Sequence, residues 1–514
     1  MKYISKTAFA VLLSAFIGIT ASAQTKTYNI KNYGAIADGK TNNTAAIQKA
    51  IDEAATHGGG IIVIPAGRFV TGVITIQSNI ELHLDDKAFL LGSAIRTDYG
   101  DGKASALIVA NNLHHIAITG HGTIDGQGDS LLKDIYRRLN AGTLQDTEWR
   151  KPNPWHQMRP TEDNRPKLIE FKDCDDIQLK NFTIKNGLCW TQNYKSCTNM
   201  VIDSMRVENV TYWNNDGIDI VDCKNVKLTN SFFNAADDGI CLKSEDPNGA
   251  CENVYVANCR VRSSASAIKL GTGSLGGFKK ITIRNISVYD TYRSAIAIET
   301  VDGAVLEDID IRDIVAKNTG NAIVIRLGHR HQKRPAGVLR RVYIGNVTVD
   351  VPAGKPDAGY PIEGPIVSAP HNVFPSSITG IPGSRAQDIT LENITINYEG
   401  GAKKEVADFG IDSLEKVPEK ISDYPEFSMF GELPAWGFYI RHADGIKIKN
   451  MVLTCKGTDY RPAFIADDVN GLSLNGLNIP QVKTKPVILL NKVSGFVSEN
   501  VTIPGGAKQN IQVQ

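Results

Sequence analysis

A short phrase of alternating apolar residues recurs along most of the chain and limits what the chain can fold into. Its apolar positions include Ile177, Met200, Val226, Val254 and Ile281, which follow one another at steps of 23, 26, 28 and 27 residues. Gly, Asn and Asp separate these runs, which is typical of short strands joined by tight turns. A repeat of this size cannot bury its apolar face alone, so neighbouring repeats must stack. The sequence therefore predicts a right-handed parallel β-helix with about three strands in each turn.

The cap and the loops of this solenoid can also be placed. Residues 24–514 are predicted to form one β-helix domain, and residues 44–56 form the only clear helix, an amphipathic cap on the first turn. The repeat lengthens in three places, so loop insertions are expected near residues 129–165, 352–385 and 400–434. Insertions of this kind emerge from the faces of a solenoid, often beside a binding cleft. They favour a closed-off, exo-like site.

Residues 1–23 have the pattern of a secretory signal peptide. Lys2 and Lys6 precede an apolar run, and residues 21–23 form a small-x-small cleavage signal before Gln24. The run is too short to span a membrane as a helix. We therefore expect export to the periplasm or the cell exterior, with no membrane attachment after the signal is removed.

Charge and cysteine content exclude several classes of protein. The chain carries 56 Lys and Arg against 55 Asp and Glu, a net charge of +1, so nucleic acid is not an expected partner. Eight cysteines would permit disulfides in an exported protein. However, Cys197, Cys223 and Cys251 open the same phrase at steps of 26 and 28 residues, which indicates stacked, equivalent positions. No Cys-x-x-Cys pair occurs, so neither zinc nor another cofactor is predicted, and the oligomeric state stays open.

Two acidic phrases about one repeat apart are the candidate chemical centre. Asp216 lies 21 and 22 residues before Asp237 and Asp238, so the three carboxylates are expected to cluster on adjacent turns of one face. Adjacent carboxylates cannot all ionise freely, so at least one pKa is expected to rise. A protonated carboxyl group beside ionised ones is what glycoside hydrolysis uses. Asp219 and Asp222 are interpreted as turn residues instead.

Four motifs occur in one order between Tyr33 and Val349. They are Tyr33-Gly34-Ala35 with Asp38-Gly39, Gly120-His121-Gly122-Thr123-Ile124-Asp125-Gly126-Gln127-Gly128, Asn214-x-Asp216-Gly217 and Asp237-Asp238-Gly239. Together they resemble the polygalacturonase family of pectin hydrolases, glycoside hydrolase family 28. The resemblance implies a β-helix and hydrolysis of a pectic or similar plant cell-wall polysaccharide with inversion. It also implies that Asp237 is the general acid, that Asp216 and Asp238 hold and deprotonate the water, and that Asn214 contacts substrate.

The chain departs from that family after the acidic motifs. Ser266 stands where the family has a His, and Ala297 and Glu299 stand where it has Arg and Lys. A Glu in this place would repel a galacturonate carboxylate. We therefore expect Ser266 and Glu299 to contact a neutral sugar, and plain polygalacturonate to be a poor substrate. Alternatively, Glu299 pairs with Lys269 or Arg293 and leaves the substrate alone.

Further candidate substrate contacts follow from position. Lys269 should point from the turn after the acidic pair, and Arg326 and His329 lie about one turn beyond Glu299, where they would rebuild an anion site or form a solvated basic loop. Trp213, like Trp190, is either a platform for sugar stacking or a core aromatic residue.

Three alternatives to a pectic hydrolase remain open. The first is a glycosidase of the same fold that cleaves a neutral-sugar linkage. The second is a polysaccharide lyase, for which Lys269 is a candidate base. The third is a glycan-binding solenoid without catalysis. A lyase product absorbs ultraviolet light through a new conjugated double bond, a hydrolase product is a reducing sugar without that bond, and a binding protein yields neither.

Overall fold

The structure is a computed structural model that describes residues 26–153, 156–364, 374–406 and 409–514. The predicted signal peptide, residues 1–23, lies outside these residues. Among the described helices, none has the length and apolarity needed to cross a membrane.

Strands make up about half of the chain, and those of the described residues join in one continuous sheet of 32 strands. The first nine strands are β1 (Thr27–Asn29), β2 (Asp38–Asn42), β3 (Gly60–Ile64), β4 (Gly67–Thr71), β5 (Ile74–Thr75), β6 (Ile80–Leu84), β7 (Ala88–Gly92), β8 (Ile108–Asn111) and β9 (His114–Gly120). The next eleven are β10 (Thr123–Asp125), β11 (Ile169–Lys172), β12 (Asp175–Lys180), β13 (Thr183–Lys185), β14 (Gln192–Lys195), β15 (Thr198–Asp203), β16 (Arg206–Asn209), β17 (Ile218–Val221), β18 (Lys224–Thr229), β19 (Phe232–Ala235) and β20 (Ile240–Ser244). The last twelve are β21 (Cys251–Ser263), β22 (Ile268–Ser274), β23 (Gly277–Thr300), β24 (Val305–Leu327), β25 (Val338–Val351), β26 (Ser376–Thr379), β27 (Ala386–Tyr398), β28 (Phe438–Cys455), β29 (Phe464–Asn475), β30 (Ile488–Ser494), β31 (Val497–Glu499) and β32 (Ile511–Val513).

In the described residues, two α-helices accompany the strands, α1 (Thr44–Thr56) and α2 (Gly128–Asn140). Short 3-10 turns lie at Ile30–Tyr33, Arg96–Tyr99, Glu162–Asn164, Lys404–Val406, Ile411–Lys416 and Ala507–Gln509.

The repeat found in the sequence is the ladder of the solenoid. Ile177 pairs with Met200, Met200 with Val226, Val226 with Val254, and Val254 with Ile281, always in parallel. Strands β12, β13 and β14 pair with β15, β16 and β17 respectively, so three strands make one turn. This confirms the predicted right-handed parallel β-helix.

The inside of the solenoid holds stacks of identical residue types. Cys197, Cys223 and Cys251 precede paired positions on consecutive turns, and the amide N–H of Cys197 donates to Cys223 Sγ at 3.4 Å. All eight cysteines lie in the described residues, where they are buried free thiols. The predicted stack is therefore confirmed, and it serves packing rather than cross-linking.

The capping helix α1 has the predicted bounds, and Ile47, Ile51 and Ala54 bury its apolar stripe against the first turn. The helix α2 was not predicted, because its segment was assigned to the loop insertion 129–165. Its buried residues Leu131, Ile135 and Leu139 recur at steps of four residues, which is a helical signal on one face.

The sheet face that carries the chemistry is a column of short strands. Strands β14, β17, β20 and β22 pair in that order, and the column continues through the last residues of β23 and β24 into β26, β28, β29 and β30. Each of these turns thus contributes one strand, and the loop before it, to the same face.

Candidate active site

The structure brings Asp216, Asp237 and Asp238 together at the entry to two neighbouring strands. Asp216 lies just before β17 and the other two lie just before β20. Because Ile218 pairs with Ile240, the two loops lie on successive turns, one beside the other. A carboxylate oxygen of Asp216 and one of Asp238 are within 4.8 Å of each other. Asp216 and Asp238 are 3% exposed, whereas Asp237 is only half-buried.

The loop that carries Asp216 is held by hydrogen bonds to neighbouring turns. The hydroxyl group of Thr191 donates to the carbonyl oxygen of Asp216 at 2.6 Å, and Asn215 Nδ2 donates to the carbonyl oxygen of Gly187 at 2.8 Å. Asn214 has a φ of 56°, a left-handed conformation that Asn tolerates better than most residues, and its Oδ1 accepts from Arg165 at 2.9 Å. The loop therefore holds Asp216 in place before any ligand binds.

The glycine after each acidic group allows its loop to pack closely against a neighbouring turn. A Cβ atom at Gly217 would lie 2.4 Å from the carbonyl oxygen of Gly239, and one at Gly239 would lie 2.3 Å from Val261 Cγ1. These distances are too short for any side chain. The Asp-Gly phrases are thus explained by packing between turns as well as by turn formation.

Asp237 and Asp238 have opposite protonation preferences. Burial raises the pKa of Asp237, and the adjacent Asp238 raises it further. Burial acts in the same direction on Asp238, but Lys269 and Arg293 outweigh it and lower the pKa of this carboxyl group. Lys269 Nζ lies 3.0 Å from Asp238 Oδ2. The pair therefore offers one group that retains a proton beside one that is ionised, which suits acid–base catalysis.

Asp219 is not the turn residue that the sequence suggested. It lies within β17, is 0% exposed, and contacts Lys243 Nζ through Oδ1. The same nitrogen lies 3.0 Å from Asp216 Oδ2. Ile218-Asp219-Ile220 alternates apolar, polar and apolar residues, which is the period of a strand, and this pattern could have placed Asp219 in a strand. Asp222, in contrast, has a φ of 51° and is a turn residue as predicted.

These carboxylates face one cavity of about 380 Å³. Its floor comes from the sheet column, and its walls come from all three insertions: Arg159 from the first, Glu363 from the second and Tyr424 from the third. Of the predicted substrate contacts, Trp213, Asn214 and Lys269 line it. The lining residues are Gln157, Arg159, Glu162, Trp190, Trp213, Asn214, Asp216, Ala236, Asp237, Asp238, Lys243, Glu245, Ser264, Ala265, Lys269, Thr272, Gly273, Arg293, Arg330, Glu363, Gly364 and Tyr424.

The structure corrects the expectation for Arg326 and His329, which do not line the cavity. Arg326 is 1% exposed, and its guanidinium group donates to the carbonyl oxygens of Glu419 at 2.7 Å and Gly380 at 2.9 Å. His329 Nε2 lies 2.7 Å from the carbonyl oxygen of Arg334. Both residues fasten loops to the solenoid, and Arg326 thereby holds the third insertion against the sheet column.

Ser266 and Glu299 are also outside the cavity lining. The amide N–H of Ser266 donates to Asp238 Oδ1 at 3.1 Å, so it supports a carboxylate rather than a sugar. Glu299 is 2% exposed and accepts a hydrogen bond from Thr272 Oγ1 at 3.3 Å. Burial raises the pKa of Glu299 to about 7, with Lys269 opposing the rise. The expected hydrogen bonds between Glu299 and sugar hydroxyl groups are therefore replaced by interactions with Thr272 and Lys269.

Several cavity residues were not identified from the sequence. Lys243 lies in β20, shortly after the acidic pair, and pairs with Val221 of β17. Arg159 and Tyr424 lie in long insertions, whose conformation no repeat spacing predicts. Tyr424 Oη accepts a hydrogen bond from Lys269 Nζ at 3.0 Å, and Arg293 Nη2 lies 3.4 Å from Glu426 Oε2.

A cation does not fit this group of acids. Among the described residues, oxygens of Asp216 and Asp238 and the Sγ of Cys241 come within 4.8 Å of one another. However, each carboxylate already binds a lysine, and burial raises the pKa of the Cys241 thiol well above its usual value. Internal lysines thus occupy the places that a metal ion would take.

Comparison with known proteins adds a family to this geometry. The model of Glycosyl hydrolases family 28 matches residues 60–413, and the model of Rhamnogalacturonase A/epimerase, pectate lyase-like, matches residues 27–87.

Individual relatives are similar over most of the chain. A probable polygalacturonase of Vitis vinifera is 26% identical over 433 residues, which cover 76% of this chain and 79% of that protein. An exo-poly-alpha-D-galacturonosidase of Dickeya chrysanthemi is 27% identical over 390 residues, 65% of this chain and 64% of that protein. The solved structure of a hyperthermoactive exopolygalacturonase from Thermotoga maritima has a TM-score of 0.59 at 20% identity, and covers 83% of this chain and 91% of that one. This structural likeness supports the β-helix fold.

Proposed function

The chain belongs to glycosyl hydrolases family 28 and is a glycoside hydrolase, and we propose that it removes terminal sugars from a pectic polysaccharide or oligosaccharide with inversion at the anomeric carbon. The observation that carries this proposal is the adjacent pair Asp237 and Asp238, one with a raised and one with a lowered pKa, facing a cavity beside Asp216.

The proposed reaction assigns one role to each carboxyl group. Asp237 gives its proton to the glycosidic oxygen as the bond from that oxygen to the anomeric carbon breaks. Asp238 and Asp216 hold a water molecule between them, and one of the two carboxylates accepts its proton as the water oxygen bonds to the same carbon. Delivery of the water from the face opposite the leaving group inverts the configuration. The half-exposed position of Asp237 suits contact with the leaving group.

The walls of the cavity support an exo mode of action. Segments from three insertions close around the acidic group, and the third insertion is fastened over the sheet column by Arg326. The volume of about 380 Å³ is at the lower end of the range for ligand pockets. Such a cavity accommodates the end of a chain better than it accommodates a continuous polymer.

The pectic substrate is supported by the names of the relatives and qualified by the residues of this chain. Ala297 is 2% exposed and apolar, so the grip that an Arg would provide on a uronate is missing there. We therefore propose that plain polygalacturonate is a poor substrate and that a pectic chain with a neutral sugar beside the scissile bond is a better one.

The test is product analysis with purified protein on oligogalacturonides, rhamnogalacturonan oligosaccharides and pectic side chains. We expect a single small reducing sugar at early times, no ultraviolet-absorbing product, and turnover lower by roughly 10²–10⁴-fold in the Asp237→Asn variant. Unsaturated products would show a lyase instead. Binding without any product would show a glycan-binding protein.

We also propose that the protein is exported and that residues 24–514 fold as one domain. The signal pattern in residues 1–23 supports export, and the continuous sheet from β1 to β32 supports the single domain. N-terminal sequencing of the extracytoplasmic protein should begin near Gln24, and calorimetry should give one unfolding transition. An intact Met1 in the mature protein would contradict export by this signal.

A further inference from the structure

Lys243 occupies a place between two buried carboxylates and an aromatic ring. Its Nζ lies 3.0 Å from Asp216 Oδ2, contacts Asp219 Oδ1, and lies 3.4 Å from the centre of the Trp190 ring. Lys243 is 7% exposed and Asp219 is 0% exposed. An ammonium group has three donors and no acceptor, and here all three directions are taken by negative charge or by the negative face of a ring.

We propose that Lys243 is a positioning residue that orients Asp216 for its water and favours its ionised form, and that Asp219 anchors Lys243 for this task. The inference rests on the proposed function, since the role concerns the water-holding carboxylate. It gives Asp219 a role in the site, although Asp219 takes no part in the proton transfers of the proposed reaction.

The charges around Asp216 explain why such a cation is needed. Burial, with Asp219 adding to its effect, raises the pKa of Asp216 well above its usual value, and Lys243 reduces this rise without cancelling it. Asp237 and Asp238 also act to keep a proton on Asp216. Loss of this cation would therefore hold the proton on Asp216 still more tightly and make the group a poorer acceptor of a proton from water.

The other groups packed around Asp216 do not supply that cation. Among the described residues, those that act on Asp216 are Asp219 on β17, Lys243 on β20, and Asp237 and Asp238 in the loop before β20, with Cys241 Sγ close by. Lys269 on β22 and Arg293 and Glu299 on β23 interact with Asp238, and Arg159 of the first insertion interacts with Asp237. Lys269 binds Asp238, and Arg293 interacts with Glu426. In the part of the chain that the structure describes, the ion pair to Asp216 comes from Lys243.

The two partners of Asp216 should move its titration in opposite directions, which makes a sharp test. The acidic limb of the pH profile of kcat/KM reports the group that must lose its proton. Lys243→Met removes the cation, so the limb should move to higher pH by about one unit or more. In Asp219→Asn, Lys243 pairs with Asp216 alone, so the pKa of Asp216 should fall and the acidic limb should move to lower pH. Lys243→Arg keeps a cation at this place, so the acidic limb should stay at the same pH as in the wild type.

Lys195→Met is the matched control. Lys195 lies in the same column two turns earlier, because Lys195 pairs with Val221 and Val221 pairs with Lys243. It also forms an ion pair, with Glu245 at 2.7 Å. This variant loses the same charge and should leave the acidic limb in place. Equal losses of activity at every pH in Lys243→Met, or a limb unmoved in Asp219→Asn, would overturn the proposal.

A second readout separates this inference from the proposed function. If the wild-type protein hydrolyses no pectic substrate, the proposed function fails, and thermal unfolding across pH still tests the charge arrangement. The deficit in Tm of Lys243→Met relative to wild type should grow as pH rises and the two aspartates are forced to ionise. A deficit that is constant with pH, as expected for Lys195→Met, would show a packing role only. If Lys243→Met does not fold, Asp219→Asn alone decides between the outcomes.

Discussion

The amide N–H of Gly217 donates a hydrogen bond of 2.8 Å to the carbonyl oxygen of Asp238. This bond joins the loop of Asp216 to the loop of Asp237 and Asp238 through main-chain atoms alone. The separation of the carboxylates is thus set by the stacking of turns and not by the side chains themselves. Substitutions at the carboxyl groups should therefore change chemistry without changing their placement.

The first prediction follows for the proposed general acid. Asp237→Asn is isosteric and removes only the proton donor, so turnover should fall by roughly 10²–10⁴-fold while circular dichroism and Tm stay near wild type. Asp246→Asn, at an exposed turn residue on the loop after β20, is the matched control and should retain full activity. More than about a tenth of wild-type activity in Asp237→Asn would exclude the general-acid role.

The second prediction concerns the stereochemistry of the product. Proton NMR of a fresh digest should show the inverted anomer first, because Asp216 and Asp238 lie together and, in the proposed reaction, hold the water on one side of the reacting carbon. Net retention would contradict the water-holding roles of both residues and would point to a covalent intermediate.

The third prediction concerns the contact between the two loops. Gly217→Ala would place a Cβ atom 2.4 Å from the carbonyl oxygen of Gly239. Because overpacking of a close contact typically costs roughly 1–3 kcal/mol, chemical denaturation should show a loss of stability of that order, together with reduced activity. Gly102→Ala is the control, since no atom lies within 4 Å of a Cβ atom there. Equal stabilities of the two variants would show that the loops tolerate separation.

The fold was predictable because the same strand pattern recurs in turn after turn of the sequence. Each turn repeats the alternation seen at Ile177 and Met200, and each pair must satisfy the same register, so an error at one turn is corrected by its neighbours. The cap α1 was predictable from its own periodicity and its flanking glycines. The helix α2 was missed because it occurs once, inside a segment whose length broke the repeat.

The site was predictable only where it belongs to the repeat. The spacing of Asp216 and Asp237 is that of one turn, so their proximity followed from the ladder itself. The positions of Arg326 and His329 were misjudged because the loops they fasten have no period. Glu299 occupies the strand position opposite Arg326, but side-chain burial beneath the cavity depends on insertions that arrive from distant parts of the chain.

The fourth prediction uses the buried carboxyl group of Glu299. Its folded-state pKa is raised to about 7 from a usual value of 4.5, chiefly by burial. The folded protein therefore binds one more proton than the unfolded chain between these values, and this contribution to stability is present below pH 4.5 and is lost as pH rises through about 7. Glu299→Gln resembles the protonated form, so its stability relative to wild type should rise over this interval, by an amount on the order of 1–3 kcal/mol.

Chemical denaturation of Glu299→Gln and wild type at several pH values measures this difference. Asp246→Asn serves again as a control that should show no such trend, because its carboxyl group is exposed. A difference between Glu299→Gln and wild type that does not change with pH would mean that Glu299 is ionised throughout and paired with Lys269 or Arg293.

The last prediction concerns the charge of the substrate. Plain polygalacturonate should be hydrolysed with a kcat/KM at least about tenfold below that of the best pectic oligosaccharide with a neutral sugar beside the scissile bond, since one well-placed charged contact is worth about that much or more. The reason is that Ala297 and Glu299 offer no cation to a uronate, while Lys269 is already bound to Asp238. Rapid hydrolysis of polygalacturonate would contradict this and would point to another cation of the cavity lining, for which Arg159 is the first candidate. In that case Arg159→Gln should raise KM for polygalacturonate, and Arg150→Gln, an exposed arginine of the same insertion that stacks on Trp149, should not.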